Sequence, residues 1–214
     1  MMKRTTNHLT RELSKTELRI FAKLLSPFKI QEFLDSFPYS DEERYRCPRS
    51  VLQDRKAHCY DGAVFAAAAL RMIGYPPLLV DMLPNRRDDD HILAVFRQKN
   101  YWGAVAKSNF SGLRFREPVY HGLRELIMSY FESYYNIAGE KTLIGYTAPI
   151  NLNRFDKLRW LVNDKAMDAI AKGMDSNRKY KVLTPAMARQ LSAVDKRSYH
   201  AGLLGANHKG LFQL

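Results

Sequence analysis

Residues 59–73, CYDGAVFAAAALRMI, constrain the fold more than any other stretch of this 214-residue chain. Alanine has the highest helix propensity, and small side chains all round let neighbours approach from every direction. The segment therefore reads as a central helix buried on all sides. Gly74 supplies a stop, and Pro76-Pro77 forbid continuation.

Such a helix needs layers around it. Ser14-Lys15-Thr16-Glu17 fits a capping box, followed by Leu18, Phe21, Ala22 and Leu25 at helical spacing. Pro27 opens a second helix, with Ile30, Phe33, Leu34 and Phe37 on one face, and Pro38 ends it. Pro48 opens a short third helix over 49–54. After Gly74 the texture changes. Residues 78–83 read as a strand, 84–90 as a charged loop, and 92–96 and 101–106 as a hairpin around Gln98-Lys99-Asn100. Residues 115–120 read as a fourth strand, with Pro118 at an edge or end. Helical spacing returns at Leu123, Leu126, Ile127, Tyr130, Phe131 and Tyr134. Further helices are expected over 153–161, 164–172 and 185–194, and irregular chain over 202–214. Helices, then strands, then helices predict an α+β fold with an antiparallel sheet.

Composition excludes several classes. With 46% hydrophobic and 26% charged residues the chain is globular, not disordered. No apolar run approaches the roughly 18 residues of a membrane span, and the basic start lacks an apolar signal core, so a cytoplasmic protein of one domain over 1–214 is expected. Two cysteines are too few for a disulfide framework or a four-thiolate zinc site, and a persistent Cys47–Cys59 bond is not expected in the cytosol. Asp88-Asp89-Asp90 cannot all face one ion, and no phosphate loop occurs, so neither metal nor cofactor is expected. The net charge is +12, and half of that excess falls from Lys172 onward. Dispersed basic residues read as a solubilising surface; a nucleic-acid or anion-binding module is the least favoured reading.

Cys59 stands at the entry of the central helix. Free amides and a positive dipole end at such a point lower a thiol's pKa and can hold an oxyanion. His91 follows at the start of the second strand of the region. If that strand lies against the helix end, the imidazole can take the thiol proton and later return it to a leaving group.

Three segments carry a resemblance: Ala57-His58-Cys59-Tyr60-Asp61-Gly62-Ala63, then Asp90-His91-Ile92-Leu93-Ala94-Val95-Phe96, then Trp102-Gly103-Ala104-Val105-Ala106. Their order and spacing resemble the transglutaminase-like superfamily, part of the papain-like group of cysteine enzymes. The resemblance covers about residues 45–120, leaving helical extensions over 1–44 and 121–214. It implies Cys59 as nucleophile and His91 as its base. It implies a thioester formed from a peptide or amide-bearing substrate, with hydrolysis favoured over crosslinking; a catalytically inactive binding scaffold is the alternative. In that family an Asp at the end of the next strand orients the imidazole. Here a two-residue Gln98-Lys99 turn would pair His91 with Ala106, and a three-residue turn with Lys107, and neither can accept the ring N–H. Asn109 is the expected orienting residue, with Ser108 and Asp81 as alternatives. Asp90 adjoins His91 and should point to the opposite face. Gln53, six residues before Cys59, is a candidate oxyanion donor, and Trp102 a groove wall or sheet-core residue.

Overall fold

The computed structural model describes residues 11–214. His8 and the basic first ten residues of the expected N-terminal extension lie outside that range.

The sequence signals that open the first helices are used as expected. Helix α1 (Lys15–Phe21) starts on the Ser14/Glu17 capping box. Helix α2 (Pro27–Asp35) starts with Pro27 in its first turn and the Ser26 hydroxyl as cap. Helix α3 (Pro48–Asp54) also opens on proline. Helix α4 (Cys59–Met72) is the alanine-rich segment. Ala63, Ala66, Ala67, Ala68 and Ala69 are each at most 1% exposed, so it is enclosed on every side. It ends where Gly74 turns left-handed at φ 99°. There the Tyr75 N–H donates to Leu70 O, and the Gly74 N–H to Arg71 O.

Next come β1 (Leu78–Pro84), β2 (His91–Gln98), β3 (Tyr101–Val105) and β4 (Arg116–Tyr120), then α5 (Leu123–Met128), β5 (Leu143–Thr147), β6 (Ile150–Asn151) and α6 (Lys165–Asp175). Strand β7 (Lys179–Lys181) and helices α7 (Pro185–Arg189) and α8 (Lys196–Gly202) follow. The sheet runs β4-β3-β2-β1-β5-β7, with β6 also on β1, and every pairing is antiparallel. The fold is thus α+β, with α4 packed on an antiparallel sheet and further helices before and after it. Pro118 sits in edge strand β4, where its missing N–H costs no ladder bond. At the other edge, exposed Lys179 and Lys181 discourage further strand pairing.

Strand alternation divides the core. Leu79, Ile92, Ala94 and Phe96 join α1 to α4 and α6 on one face. Val80, Met82, Leu93 and Val95 pack with Leu126, Ile127, Tyr130 and Tyr134 on the other.

Several expectations need correction. Residues 152–158 wind as a 3-10 helix rather than the α-helix expected over 153–161. The helix expected over 185–194 stops at Arg189. Strands β5 to β7 and helix α8 were not anticipated, so residues 121–214 complete the sheet as well as adding helices. The β2–β3 turn is Lys99-Asn100, not Gln98-Lys99: Gln98 faces Tyr101, and both turn residues have positive φ, 48° and 71°. Left-handed geometry at both positions suits the right-handed twist of the flanking strands. The register therefore aligns His91 with Ser108, beyond the end of β3, rather than with Ala106 or Lys107.

Candidate active site

The entry of α4 is built by residues before it. His58 is the N-cap: its ring Nδ1 accepts from the Tyr60 N–H at 3.2 Å, and the Asp61 carboxylate accepts from the His58 N–H at 3.4 Å. Asp61 also accepts from the backbone N–H of Arg46 at 2.7 Å and from its Nη1 at 3.3 Å. Arg46 is fully buried, and its guanidinium is shared with Asp54 and Glu42. A buried charge is tolerated only when paired this fully.

Cys59 is the first residue of α4, as its sequence position suggested. Its N–H donates to the Tyr39 hydroxyl at 3.4 Å, and its Sγ lies 3.9 Å from the carbonyl oxygen of Asp90. The expected lowering of its pKa is not what the site produces. Burial pushes the thiol well up, and the carboxylates of Asp90 and Asp89 add to the rise. Desolvation and like charge outweigh the helix end. Cys47, the N-cap of α3, is likewise held up, at about 11, by burial. Both thiols are free.

His91 opens β2, and its ring is buried. Pairing with Met82 and alternation with Ile92 give it to the face opposite α4. Its Nε2 lies 2.8 Å from the carbonyl oxygen of Leu113. A carbonyl only accepts, so Nε2 carries the proton and Nδ1 is the free acceptor. Burial lowers the imidazole to about 4. The neutral ring is therefore the resting form at neutral pH. The structure brings Cys59 beside the peptide segment that carries His91, but no hydrogen bond joins the thiol to the ring.

The remaining sequence candidates go elsewhere. Asn109, expected to hold the imidazole, accepts from the Asn207 N–H at 2.7 Å and donates to Asn207 O at 2.8 Å. Its amide is thus committed to the C-terminal segment, and Leu113 O takes the place at the ring. Ser108 makes a turn, its Oγ accepting from the Phe110 N–H. Gln53 is exposed on α3, outside the cleft at Cys59, and so is not positioned as an oxyanion donor. Trp102 is half-buried against the second core, with the Arg97 guanidinium 5.3 Å from its ring. It is sheet packing, not a wall of the cleft.

The cleft itself has a volume of about 360 Å³ and opens beside Cys59. Tyr39, Tyr45, His58, Asp81, Asp90 and Asp175 line it. Asp81 faces it because it pairs with Ile92 and so lies on the α4 side of the sheet. Burial raises the Asp81 carboxyl to about 9, with Asp90 and Asp175 adding to the rise. Asp90, exposed at the mouth of the cleft, rises to about 6 through partial loss of solvent there and the like charges of Asp89 and Asp175. Burial lowers His58 to about 4. Tyr39 and Asp175 carry no motif by which sequence could have placed them here, whereas His58 adjoins Cys59 in the chain; Asp81, an alternative partner for His91 in the sequence, instead faces the cleft. No group of three or more His, Cys, Asp or Glu side chains among the described residues converges tightly enough to hold a metal ion. No described helix is long and apolar enough to cross a membrane.

No protein-family model and no curated protein matches the sequence. Among solved structures, Legionella pneumophila LapG is similar at a TM-score of 0.36 and 14% identity, over 78% of this chain and 83% of that one. EGTA-treated LapG from the same organism is similar at 0.36 and 16%, over 78% and 84%. At those scores and identities the likeness does not extend to a function.

Proposed function

We propose that the chain is a transglutaminase-like cysteine enzyme that hydrolyses or transfers an amide-linked acyl group through a Cys59 thioester. The observation that carries this reading is Cys59 at the first position of α4, its Sγ 3.9 Å from the carbonyl oxygen of the residue before His91. With Nε2–H held by Leu113 O, Nδ1 is the unprotonated nitrogen of a neutral ring that lies on the sheet face opposite α4. In this scheme the His91 ring turns toward Cys59 when substrate binds, takes the thiol proton on Nδ1 as Sγ attacks the carbonyl carbon, and returns it to the leaving amine. Water or an amine then resolves the thioester. The Tyr60 N–H is taken by the His58 cap, so in this scheme the Cys59 N–H turns from the Tyr39 hydroxyl to the oxyanion.

The test is alkylation followed by peptide mapping. Iodoacetamide at neutral pH is expected to label Cys59 faster than Cys47. If Cys59 labels no faster than Cys47 or a free thiol, activation of Cys59 is wrong.

A second reading has its own support. The thiol is raised rather than lowered, and the ring is bonded away from it. Both suit a binding scaffold without catalysis. Under that reading Cys59 stays unreactive while the cleft still takes a ligand.

A further inference from the structure

The cleft beside Cys59 has the opposite character to the protein around it. The chain carries a net +12, yet seven of the side chains lining the cleft are carboxylates and none is Lys or Arg. An acidic lining alone is no site. One member, however, is in an unusual state. Asp81 is 3% exposed, and its Oδ1 has no hydrogen-bond partner. A buried acceptor left unpaired is costly, and native proteins rarely keep one without use. Its strand partners are satisfied elsewhere: the Asp81 N–H donates to Thr147 Oγ1 at 3.0 Å, leaving only the carboxylate aimed into the space.

The shape and lining narrow the occupant. The carboxylates do not converge on a metal-binding group. The rings of Tyr39, Tyr45 and Tyr60 line the same space, and aromatic faces attract ammonium and guanidinium groups. A free oxygen on Asp81 asks for an N–H donor, which a quaternary ammonium lacks. We propose that the cleft is a specificity pocket for the cationic end of a lysine or arginine side chain of a peptide, accepted by Asp81 with Asp90 and Asp175 flanking it. Calling that peptide a substrate rests on the cysteine-enzyme reading; the binding itself does not.

Binding carries a proton signature. The groups facing Asp81 are Asp90, Asp89 and Asp175, which raise its carboxyl, and Lys179, which opposes them. The thiol of Cys59 and the hydroxyls of Tyr39 and Tyr60 are all raised and stay neutral, as does His58 above about pH 5. A cation favours the ionised carboxylates, so its binding expels protons and tightens from pH 5 to pH 8.

The experiment is calorimetry on the full chain carrying Cys59→Ser, which removes chemistry from the readout. Nα-acetyl-lysine amide and Nα-acetylarginine amide are titrated against the neutral isostere Nα-acetylnorleucine amide, in buffers of different ionisation enthalpy. The cationic amides are expected to bind at least about tenfold tighter than the neutral one, with proton release. Asp81→Asn is expected to remove about tenfold of that affinity and most of the proton release; Asp90→Asn, further up the wall, reports the same loss if the first variant fails to fold. Equal binding of cationic and neutral amides, or full affinity in both variants, overturns the proposal. So does an amide displaced stoichiometrically by calcium chloride at matched ionic strength, which would make the occupant a metal ion. Cation binding without Cys59 alkylation would sink the enzyme reading and leave the pocket standing; alkylation without cation binding would do the reverse.

Discussion

The imidazole of His91 donates an Nε2–H hydrogen bond to the carbonyl oxygen of Leu113, 22 residues further along the chain, at 2.8 Å. The orienting partner is a main-chain atom. His91→Gln preserves an N–H that can reach that carbonyl but removes the base. Alkylation of Cys59 at neutral pH is expected to slow at least about tenfold, with little change in melting temperature. An unchanged rate would mean that the ring does not serve the thiol.

Asn109 and Asn207 exchange two hydrogen bonds across 98 residues, and Asn207 Nδ2 also donates to Tyr39 O at 3.1 Å. Asn109→Ala removes both bonds and should cost about 1–3 kcal/mol, whereas Asn207→Ala keeps the main-chain N–H and C=O that Asn109 holds, loses its side-chain bonds to Tyr39 O and the Lys209 N–H, and should cost about 1 kcal/mol. The double variant should lose close to the sum of the two, because each breaks its own hydrogen bonds. Thermal melts of the cycle check this. A loss of Cys59 reactivity in Asn109→Ala far beyond that in Asn207→Ala would return Asn109 to a chemical role.

Gly62 lies one turn into α4, where an added Cβ would meet Lys107 Cβ at 2.2 Å. Lys107 cannot readily withdraw: its Nζ donates to Leu34 O at 2.9 Å and to Phe37 O at 2.5 Å. Gly62→Ala is expected to cost about 1–3 kcal/mol through overpacking. Gly122→Ala, with nothing within 4 Å of its Cβ, serves as the control and should stay within about 0.5 kcal/mol. Equal melting temperatures would show that the helix can shift away from Lys107.

The raised carboxyl of Asp81 has a stability consequence with a definite sign. The folded form holds its proton to about pH 9, whereas an unfolded aspartate loses it near its ordinary value. Protons bound only in the folded state make stability fall as pH rises between those limits. Asp81→Asn removes that slope. Its melting temperature should match the parent near pH 4 and exceed it by at least about 3 °C at pH 8.5. A constant offset across the range would mean that Asp81 is not held protonated.

The parts legible in sequence were those written in local chemistry. The alanine run, Gly74, the prolines opening α2 and α3, and the Ser14/Glu17 box each specify a local conformation with little help from distant residues. The hairpin was legible and its turn lies within the expected Gln98-Lys99-Asn100 break, but it is Lys99-Asn100, which brings His91 level with Ser108 rather than with Ala106 or Lys107. Strands β5 to β7 were missed because segments of two to five residues, one interrupted by Gly145, carry too little alternation to stand out. At the site, Cys59 announced itself by its position at a helix entry. Its environment did not: Asp81 and Asp90 reach it only through the register of β1 on β2, and Asp175 only through the packing of α6. Leu113 could not be found at all, since its contribution is a carbonyl that every residue has.

The contrast between a basic exterior and an acidic cleft also governs encounter. A small cation drifting in from solvent meets the field of a +12 body first, and is repelled over roughly the 10 Å screening distance of dilute salt. The attraction of the cleft's carboxylates, Asp81 buried and the other six exposed around it, is felt only near the mouth. Salt should therefore weaken both the repulsion of a cationic ligand by the body and its hold at the mouth, speeding arrival and departure alike. A long peptide with acidic flanks around one basic residue escapes this barrier, because its flanks are drawn to the surface while the basic side chain enters.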